Sequence, residues 1–192
     1  MLNSEYLKNL NENQRKAVEY LDGPLLIVAG AGSGKTKVLT SRIAHIIHKH
    51  KAFPNQILAV TFTNKAAKEM QLRVSKLLRK DATGLPWLGT FHSISAKLLR
   101  KHADAVGLKS NFTIIDQDDQ VRLIKNICKA ENVDIKKISP KYILAVIDKW
   151  KNKGFYPQDV ILKRKDPLER NFLRIYKIYQ EKLIDLNSAD FS

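Results

Sequence analysis

Short apolar runs alternate with segments of helical periodicity along the first 115 residues of the chain. Four runs have the length and residue types of buried strands, and a helix-like pattern follows each one. Strands that alternate with helices predict βαβ units and a mainly parallel sheet, with ligands at the carboxyl ends of the strands. The predicted strands are residues 25–29, 57–62, 87–91 and 112–115.

The β pattern stops near Asp116, and the remaining chain is predicted to be helical. Three helix starts show a capping side chain followed by an acidic residue or by proline at the first helical position. The starts are Asp116 with Asp119, Ser139-Pro140 with a helix end near Gly154, and Asp166-Pro167 with Glu169 and a helix running towards Leu186.

Net charge distinguishes the helical part from the rest. The chain has 34 Lys and Arg against 19 Asp and Glu, a net charge of +15, and residues 121–182 contain 16 of those cations and 7 of the acids. This excess predicts attraction to polyanions, with nucleic acid as the leading partner and an anionic membrane surface as the second. A basic helical face is commonly just a solvent-exposed surface. Contact with DNA and simple exposure to solvent are therefore the two alternatives for this part of the chain.

Targeting and membrane signals are not visible in the sequence. Its longest apolar run is far shorter than the roughly 20 residues of a spanning helix, and the amino-terminal residues lack the basic and apolar blocks of a secretory signal. The single cysteine, Cys128, has no partner for an internal disulfide. We therefore expect a cytoplasmic protein with no membrane partner.

A glycine-rich loop follows the first predicted strand and leads directly into a helix predicted over residues 35–47. Such a loop binds phosphate, because consecutive backbone N–H groups and the helix N-terminus attract anions, and its glycines tolerate positive φ and close backbone approach. Lys35 can reach the β and γ phosphates, and the Thr36 hydroxyl can ligate Mg²⁺. A plain glycine turn would not require Lys-Thr after the last glycine. The loop is Ala29-Gly30-Ala31-Gly32-Ser33-Gly34-Lys35-Thr36.

A phosphate-binding loop occurs in many enzymes and does not define the reaction. Three further segments, by their order and spacing, resemble the superfamily-one DNA helicases of the UvrD/Rep/PcrA type, whose loop usually starts with Ala as here. The first, Leu10-Asn11-Glu12-Asn13-Gln14-Arg15, resembles the family's glutamine motif, in which the Gln14 amide would read the adenine edge. Asn11 with Gln14 is also the pattern of a helix capping box, and both roles are compatible.

The other two segments resemble motifs that line the single-strand groove in this family. Ala59-Val60-Thr61-Phe62-Thr63-Asn64-Lys65-Ala66-Ala67-Lys68-Glu69-Met70 matches motif Ia almost letter for letter, and Trp87-Leu88-Gly89-Thr90-Phe91-His92-Ser93 resembles motif Ib. Hydroxyls and amides can bind phosphates, and an aromatic ring can stack on an unpaired base. Without the resemblance, Phe62 would be interpreted as a core residue and Thr63 or Asn64 as a helix cap. The residues assigned to DNA are Thr61, Phe62, Thr63, Asn64, Lys65, Thr90, Phe91 and His92.

The resemblance implies an α/β fold, with a P-loop (RecA-like) parallel sheet that has helices on both faces, plus an inserted all-helical lobe. It spans essentially the whole chain, because Asp116-Gln117-Asp118-Asp119-Gln120 resembles the exit into the lobe and Ala189-Asp190-Phe191 resembles the return. The implied domains are an incomplete ATP-binding motor core over residues 1–115, a basic helical lobe over 116–186 and the start of a return to the core over 187–192.

Two departures from the family's pattern limit what this chain is expected to do. No apolar strand ending in Asp-Glu follows Thr36, and the family's arginines and second motor domain are not among these 192 residues. Phosphoryl transfer depends on positioning and electrostatics, so we expect binding without efficient turnover. Lys37 stands where the family usually has Arg, and Lys neither stacks on a base nor binds it bidentately as Arg does.

The leading hypothesis is the N-terminal fragment of an ATP-dependent DNA helicase that moves 3′ to 5′ on single strands in repair or replication restart. The resemblance implies ATP and Mg²⁺ as cofactors, single-stranded or junction DNA as substrate, and the remaining motor domains of the same chain as partners. Alternatives are the motor portion of a RecB/AddA-type helicase–nuclease, a nucleic-acid-binding module without a motor, and a small-molecule P-loop kinase. The ATP-binding set is Gln14, Ala29, Gly30, Ala31, Gly32, Ser33, Gly34, Lys35, Thr36 and Lys37, with Lys35 and Thr36 catalytic and Thr36 as the metal ligand.

Overall fold

The computed structural model describes residues 5–78, 85–162 and 167–192 of the chain. The chain divides into two compact units, Met1–Lys97 and Leu98–Ser192, which we call unit 1 and unit 2. Both units combine helices with short parallel strands, in agreement with the predicted α/β class. The domain boundaries expected at residues 115 and 186 stay a prediction.

Unit 1 alternates helices with strands, as its apolar pattern predicts. The helix predicted over residues 35–47 is confirmed with an end one residue later. In chain order the elements are α1 (Glu5–Lys8), α2 (Glu12–Glu19), α3 (Lys35–His48), β1 (Ala59–Thr61), α4 (Asn64–Leu78), β2 (Leu88–Thr90) and α5 (Phe91–Lys101), whose last turn belongs to unit 2.

A small hydrophobic core joins α3 and α4 to the strands. Ile43 on α3 packs with Met70 and Val74, which lie one turn apart on α4 and are 3% and 0% exposed. Side chains four residues apart share one helix face, so this spacing directs an apolar stripe of α4 to the core. Burial of each such side chain contributes roughly 1.5–3 kcal/mol of hydrophobic free energy. The other buried members are Ile57, Ala59 and Leu85.

β1 and β2 are parallel neighbours whose register places Thr61 opposite Thr90. Gly89 lies in β2 at a point where a Cβ atom would come within 2.7 Å of the Ser93 hydroxyl oxygen. A side chain at this position would therefore displace the start of α5. The strands predicted at residues 57–62 and 87–91 are confirmed, each somewhat shorter than predicted.

Residues 25–29 are irregular in the structure, and the prediction of a first strand there is wrong. Leu26 and Val28 are 87% and 90% exposed, whereas a strand of a parallel sheet is normally buried on both faces. Among the described residues, β1 and β2 pair with each other and no third strand joins them. The backbone of residues 25–29 has no neighbouring strand to pair with among the described residues, and apolar composition alone does not make a strand.

Polar contacts attach the two amino-terminal helices to α3. The Tyr6 hydroxyl lies 3.0 Å from His45 Nδ1, and Arg42 donates to the Ala17 carbonyl of α2 at 2.7 Å. His45 is buried, and burial, followed by the charge of Lys49, lowers its pKa below the ordinary value. A neutral His45 ring can bond Tyr6 without burying a charge, which stabilises the contact between α1 and α3.

In the part that the structure describes, unit 2 combines three long helices with one parallel strand pair. The strand predicted at residues 112–115 is confirmed over its two central residues, and all three predicted helices are present. In chain order the elements are β3 (Thr113–Ile114), α6 (Gln117–Ala130), α7 (Pro140–Lys151), α8 (Pro167–Asp185) and β4 (Ser188–Ala189).

The predicted caps of α6 and α7 are confirmed. The Asp116 carboxylate accepts the Asp119 N–H at 2.9 Å, and the Ser139 hydroxyl accepts the Tyr142 N–H at 3.2 Å. Each contact satisfies a backbone donor that the first helical turn cannot satisfy itself. Asp166, the predicted cap of α8, lies outside the described residues.

The predicted ends of α7 and α8 also agree with the structure. α7 stops at Lys151, and Gly154 follows with a left-handed φ of 74°, the conformation that commonly ends a helix. α8 runs to Asp185, next to the predicted end at Leu186. None of the helices in the described ranges is long and apolar enough to span a membrane.

The three helices of unit 2 pack around an aromatic and aliphatic core. Tyr176 and Tyr179 are 1% and 0% exposed, and the Trp150 ring stacks on Tyr176 with centroids 5.9 Å apart. The Tyr176 hydroxyl donates to the Phe155 carbonyl at 2.8 Å, which satisfies both polar groups. Burial, followed by the nearby Asp190 carboxylate, raises the pKa of Tyr176 to about 12. Other buried members are Ile124, Ile127, Ile143, Ile147, Phe172 and Ile175.

β3 and β4 lie side by side in parallel, with Ile114 opposite Ala189, although all three helices of unit 2 lie between them in sequence. The sequence pattern does not predict β4, and the expectation that β structure ends near Asp116 is wrong at this point. Two residues are too few for an alternating signal, and β4 exists only because β3 is its neighbour. The helical segment therefore begins and ends at adjacent strands.

A buried ion pair fixes the chain after α8. The Lys151 ammonium lies 2.5 Å from the Asp190 carboxylate, and the two side chains are 12% and 3% exposed. The Tyr179 hydroxyl donates to the same carboxylate at 2.9 Å, and burial, followed by the Asp190 charge, raises the pKa of Tyr179. Removing one member of a buried pair leaves a charge without a partner, so each group depends on the others.

Lys151→Met should lower the free energy of unfolding by about 3 kcal/mol, because it leaves the Asp190 carboxylate buried without its cation. Asp190→Leu should cost a similar amount by leaving the ammonium unpaired. The double variant should lose clearly less than the sum of the two single losses. Urea unfolding followed by circular dichroism measures all three, and strictly additive losses would show that the two side chains do not depend on each other.

Candidate functional site

The glycine-rich loop opens helix α3 in the structure. Gly34 is the N-cap residue of α3 with φ 87°, and Gly32 has φ 76°, both in the left-handed region that favours glycine. Gly30 is outside this region, so the expected use of positive φ holds for two of the three glycines. A Cβ atom at Gly30 or Gly32 would meet no heavy atom within 4 Å, so open space lies over the loop. A phosphate can therefore approach the N-terminus of α3 closely.

The Lys35 ammonium is folded against the loop itself. It donates to the carbonyls of Ala29 at 2.8 Å and Gly30 at 2.6 Å, and the Ser33 hydroxyl donates to the same Gly30 carbonyl at 2.7 Å. Lys35, Ala31 and Ser33 are all exposed. Neutral carbonyls bind an ammonium less strongly than an anion does, so an arriving phosphate can replace them.

Gln14 connects helix α2 to the loop. Its side-chain oxygen accepts the Asn11 N–H at 3.1 Å while the Asn11 oxygen accepts the Gln14 N–H at 2.8 Å, so the capping box considered from the sequence is present. Gln14 Nε2 also donates to the Ser33 carbonyl at 3.0 Å and lies 2.9 Å from where a Cβ atom at Gly34 would be. Two backbone partners thus orient the amide, which keeps one N–H and one lone pair for a ligand.

Thr36 and Lys37 lie on the first turn of α3 and are half-buried. The Lys37 ammonium donates to the Asn9 carbonyl, in the segment between α1 and α2, so it ties this segment to the loop's helix. Among the described residues, no three His, Cys, Asp or Glu side chains form a group that could hold a metal ion. The metal role of Thr36 stays a prediction.

The paired strands place two aromatic side chains at one edge of the sheet. Because Thr61 is opposite Thr90, the next residues, Phe62 and Phe91, lie beside each other with ring centroids 5.4 Å apart and an interplanar angle of 54°. Phe62 is 86% exposed and Phe91 is 48% exposed, so the interpretation of Phe62 as a core residue is wrong. Exposed rings at the carboxyl end of parallel strands can stack on a base.

The residues after Phe62 begin helix α4. Asn64 is the first residue of α4, and the Thr63 hydroxyl accepts the Ala66 N–H at 3.1 Å as a cap. Thr63, Asn64 and Lys65 are exposed. The Thr63 hydroxyl hydrogen, the Asn64 amide and the Lys65 ammonium are all donors, which is the chemistry that contacts to phosphate require.

Thr90 is buried at the start of α5, where its hydroxyl forms part of a reciprocal cap. Thr90 Oγ1 accepts the Ser93 N–H at 3.2 Å, and the Ser93 hydroxyl accepts the Thr90 N–H at 2.9 Å. Thr90 is 7% exposed, whereas His92 is exposed. Thr90 therefore holds the junction of β2 and α5 in place, and Phe91 and His92 are the residues after it that a ligand can reach. Sequence reasoning misses Ser93, although Thr-x-x-Ser is close to the capping-box pattern.

The UvrD/REP helicase N-terminal domain family matches residues 10–192. Similar proteins include the "Probable DNA helicase II homolog" of Rickettsia conorii, which is 48% identical over 100% of this chain and 29% of its own length. The protein of the same description from Mycoplasma capricolum is 46% identical over 95% of the chain and 26% of its own length. The "ATP-dependent DNA helicase PcrA" of Staphylococcus epidermidis is 44% identical over 96% of the chain and 25% of its own length. The chain thus spans less than a third of these relatives' length.

Gln14→Ala should loosen the glycine loop as well as the start of α2, because it removes the bond to the Ser33 carbonyl along with the side-chain acceptor of the Asn11 N–H. Asn11→Ala is the matched control, since it removes the other bond of the capping box, from the Gln14 N–H to the Asn11 side chain, and leaves the Ser33 contact in place. Amide hydrogen exchange at residues 33–35 should be several-fold faster in Gln14→Ala than in Asn11→Ala. Equal exchange in the two variants would mean that Gln14 does not hold the loop.

Proposed function

The chain belongs to the UvrD/REP helicase family, and we propose that it is the part of an ATP-dependent 3′–5′ DNA helicase that binds ATP and single-stranded DNA. The observation behind this proposal is that unit 1 combines an accessible glycine–lysine loop with an exposed aromatic pair at the ends of its parallel strands. The polarity, the role in DNA repair and replication and the cytoplasmic location rest on the family resemblance.

We propose that the loop binds the phosphates of ATP. The open space over Gly30 and Gly32 fits close approach of an anion, and the backbone N–H groups up to Thr36 would hold it. Lys35 would exchange the loop carbonyls for the β and γ phosphates, and Thr36 would ligate Mg²⁺, which neutralises phosphate charge when it is bound. The N–H and lone pair left on the Gln14 amide fit the adenine edge.

We propose that single-stranded DNA runs across the edge formed by Phe62 and Phe91. An unpaired base stacked on an exposed ring contributes about 1–3 kcal/mol without regard to sequence. Asn64 and Lys65 are exposed at the N-terminus of α4, where the helix dipole also favours phosphate. His92 would add a further contact beside Phe91.

The architecture proposed for this function is a P-loop (RecA-like) motor core into which a helical lobe is inserted. The adjacency of β3 and β4 supports an insertion, because a segment that begins and ends at neighbouring strands can be added without breaking the core. The exposed apolar residues 25–28 support an incomplete core, since their side chains would be covered if further strands joined them. The relatives are long enough to contain such strands, since the chain spans 25–29% of their length.

Turnover by this chain alone is proposed to be slow. The sequence has no apolar strand ending in Asp-Glu after Thr36, and such carboxylates orient the attacking water while arginines stabilise charge on the γ-phosphate. Binding of ATP depends on the loop, which is present. The chain should therefore bind ATP but hydrolyse it slowly. In the whole helicase the remaining motor domains would supply the missing groups.

Lys35→Ala should weaken binding of a fluorescent, non-hydrolysable ATP analogue by at least about tenfold, because it removes the cation that faces the terminal phosphates. Lys68→Ala, an exposed lysine of α4, is the matched control and should bind normally. Fluorescence titration measures both. Unchanged binding by Lys35→Ala would favour a nucleic-acid-binding module without a motor, and strong DNA-stimulated hydrolysis by the 192-residue chain would contradict the proposed slow turnover.

Phe62→Ala and Phe91→Ala should each weaken binding of a labelled oligothymidylate by about fivefold or more, because each removes a stacking surface. Phe53→Ala is the matched control, since Phe53 is 69% exposed in unit 1 but lies away from the strand ends in sequence. Anisotropy titration at fixed salt gives the affinities. Similar small effects for all three variants would mean that the basic charge of the chain, not the aromatic edge, binds the DNA.

A further inference from the structure

Helix α3 holds α2 at both of its ends. At the far end, Arg42 donates to the Ala17 carbonyl at 2.7 Å and also to the Tyr20 carbonyl. At the near end, the Lys37 ammonium donates to the Asn9 carbonyl, two residues before the N-cap of α2. The bond from Lys37 therefore attaches the start of α2 to the first turn of the helix that follows the glycine-rich loop.

The position of the Gln14 amide depends on where α2 starts. Two residues of chain span at most about 7 Å, so a fixed Asn9 carbonyl limits where the N-cap residue, Asn11, can lie. Gln14 Oε1 accepts the Asn11 N–H at 3.1 Å, and Gln14 Nε2 donates to the Ser33 carbonyl at 3.0 Å. Gln14 also lies one turn before the fully buried Val18, on the same face of α2. The amide therefore bridges the start of α2 and the loop.

Adenine and guanine nucleotides carry the same phosphates and differ in the hydrogen-bonding edge of the base. Adenine presents an N–H donor next to a ring acceptor, whereas guanine presents two acceptors, O6 and N7, on the corresponding edge. An amide supplies a donor and an acceptor and so complements adenine, but an ammonium has donors only and suits guanine better. A direct contact from Lys37 to the base would therefore favour guanine. A preference for adenine requires the Gln14 amide.

We infer that Lys37 is a positioning residue for adenine selection. Its bond to the Asn9 carbonyl fixes the start of α2, and the start of α2 fixes the Gln14 amide that reads the base. Without the ammonium, α2 keeps its far attachment at Arg42, so the chain still folds while the amide gains freedom. The role is indirect, since the ammonium acts on the protein backbone and not on the nucleotide. This inference rests on the proposed function, in which the loop and Gln14 bind ATP.

The test measures the affinities of the 192-residue chain for fluorescent, non-hydrolysable analogues of ATP and GTP. Lys37→Met should weaken binding of the ATP analogue by about fivefold or more and of the GTP analogue by less than about twofold, so the preference for adenine falls. Lys37→Arg keeps a cationic donor for the Asn9 carbonyl and should retain the preference. Lys8→Met is the matched control, because it removes an equal charge at an exposed position next to Asn9, and it should also retain the preference.

A double variant tests whether Lys37 acts through Gln14. Gln14→Ala alone should lower the preference for adenine, and adding Lys37→Met should lower it no further, because both changes act on the same amide. Independent losses that add in the double variant would overturn the inference. Thermal unfolding checks the fold of each variant. If Lys37→Met does not fold, Lys37→Gln takes its place, since a neutral amide lacks the charge that strengthens the bond to the carbonyl.

Three other results would overturn the inference. Equal weakening of both analogues by Lys37→Met would mean that its charge acts on the phosphates, and a rise in the preference for adenine would mean that Lys37 contacts the base directly. Equal affinities of the unaltered chain for the two analogues would mean that there is no selection to explain. Failure of the proposed function is a separate result, in which the unaltered chain binds neither analogue or Lys35→Ala binds both normally, and it would overturn both proposals.

Discussion

The parallel register of β1 with β2 is the constraint on which the aromatic edge of unit 1 depends. With Thr61 opposite Thr90, both strands end at the same level, and the next residue of each is a phenylalanine. Gly89 keeps this register compatible with the cap of α5, because any side chain there would meet the Ser93 hydroxyl at 2.7 Å. A shift by one residue would turn the strand's side chains to the opposite faces and separate the two rings.

A few hydrogen bonds likewise organise the glycine-rich loop. Gln14 caps α2 and bonds the loop at Ser33, while Lys37 binds the Asn9 carbonyl from the other side of the junction. The loop is thus shaped by backbone partners before a nucleotide is present, and Lys35 has only carbonyls to release. In unit 2 the buried Asp190–Lys151 pair has the corresponding role, because it fixes the chain where it leaves α8.

Features that depend on neighbouring residues in sequence could be predicted, and features that depend on distant partners could not. The caps at Asp116 and Ser139 follow from a side chain and an N–H within one turn. Residues 25–29 have the composition of a strand, yet a strand requires a neighbour that the described chain does not provide. β4 shows the reverse case, since its two residues have no pattern of their own and pair because β3 lies beside them.

The candidate site likewise has features that local sequence predicts and features that only the fold determines. The loop and the two motifs could be found from residue types and spacing, but the burial of Thr90 could not, because burial depends on which residues the fold packs around a side chain. The most direct test of two separate sites in unit 1 is an amide chemical-shift titration of the isotopically labelled chain. An ATP analogue should shift residues 30–37, and an oligothymidylate should shift residues 61–65 and 90–92. If both ligands shift the same residues, or if DNA shifts only residues of unit 2, the account is contradicted.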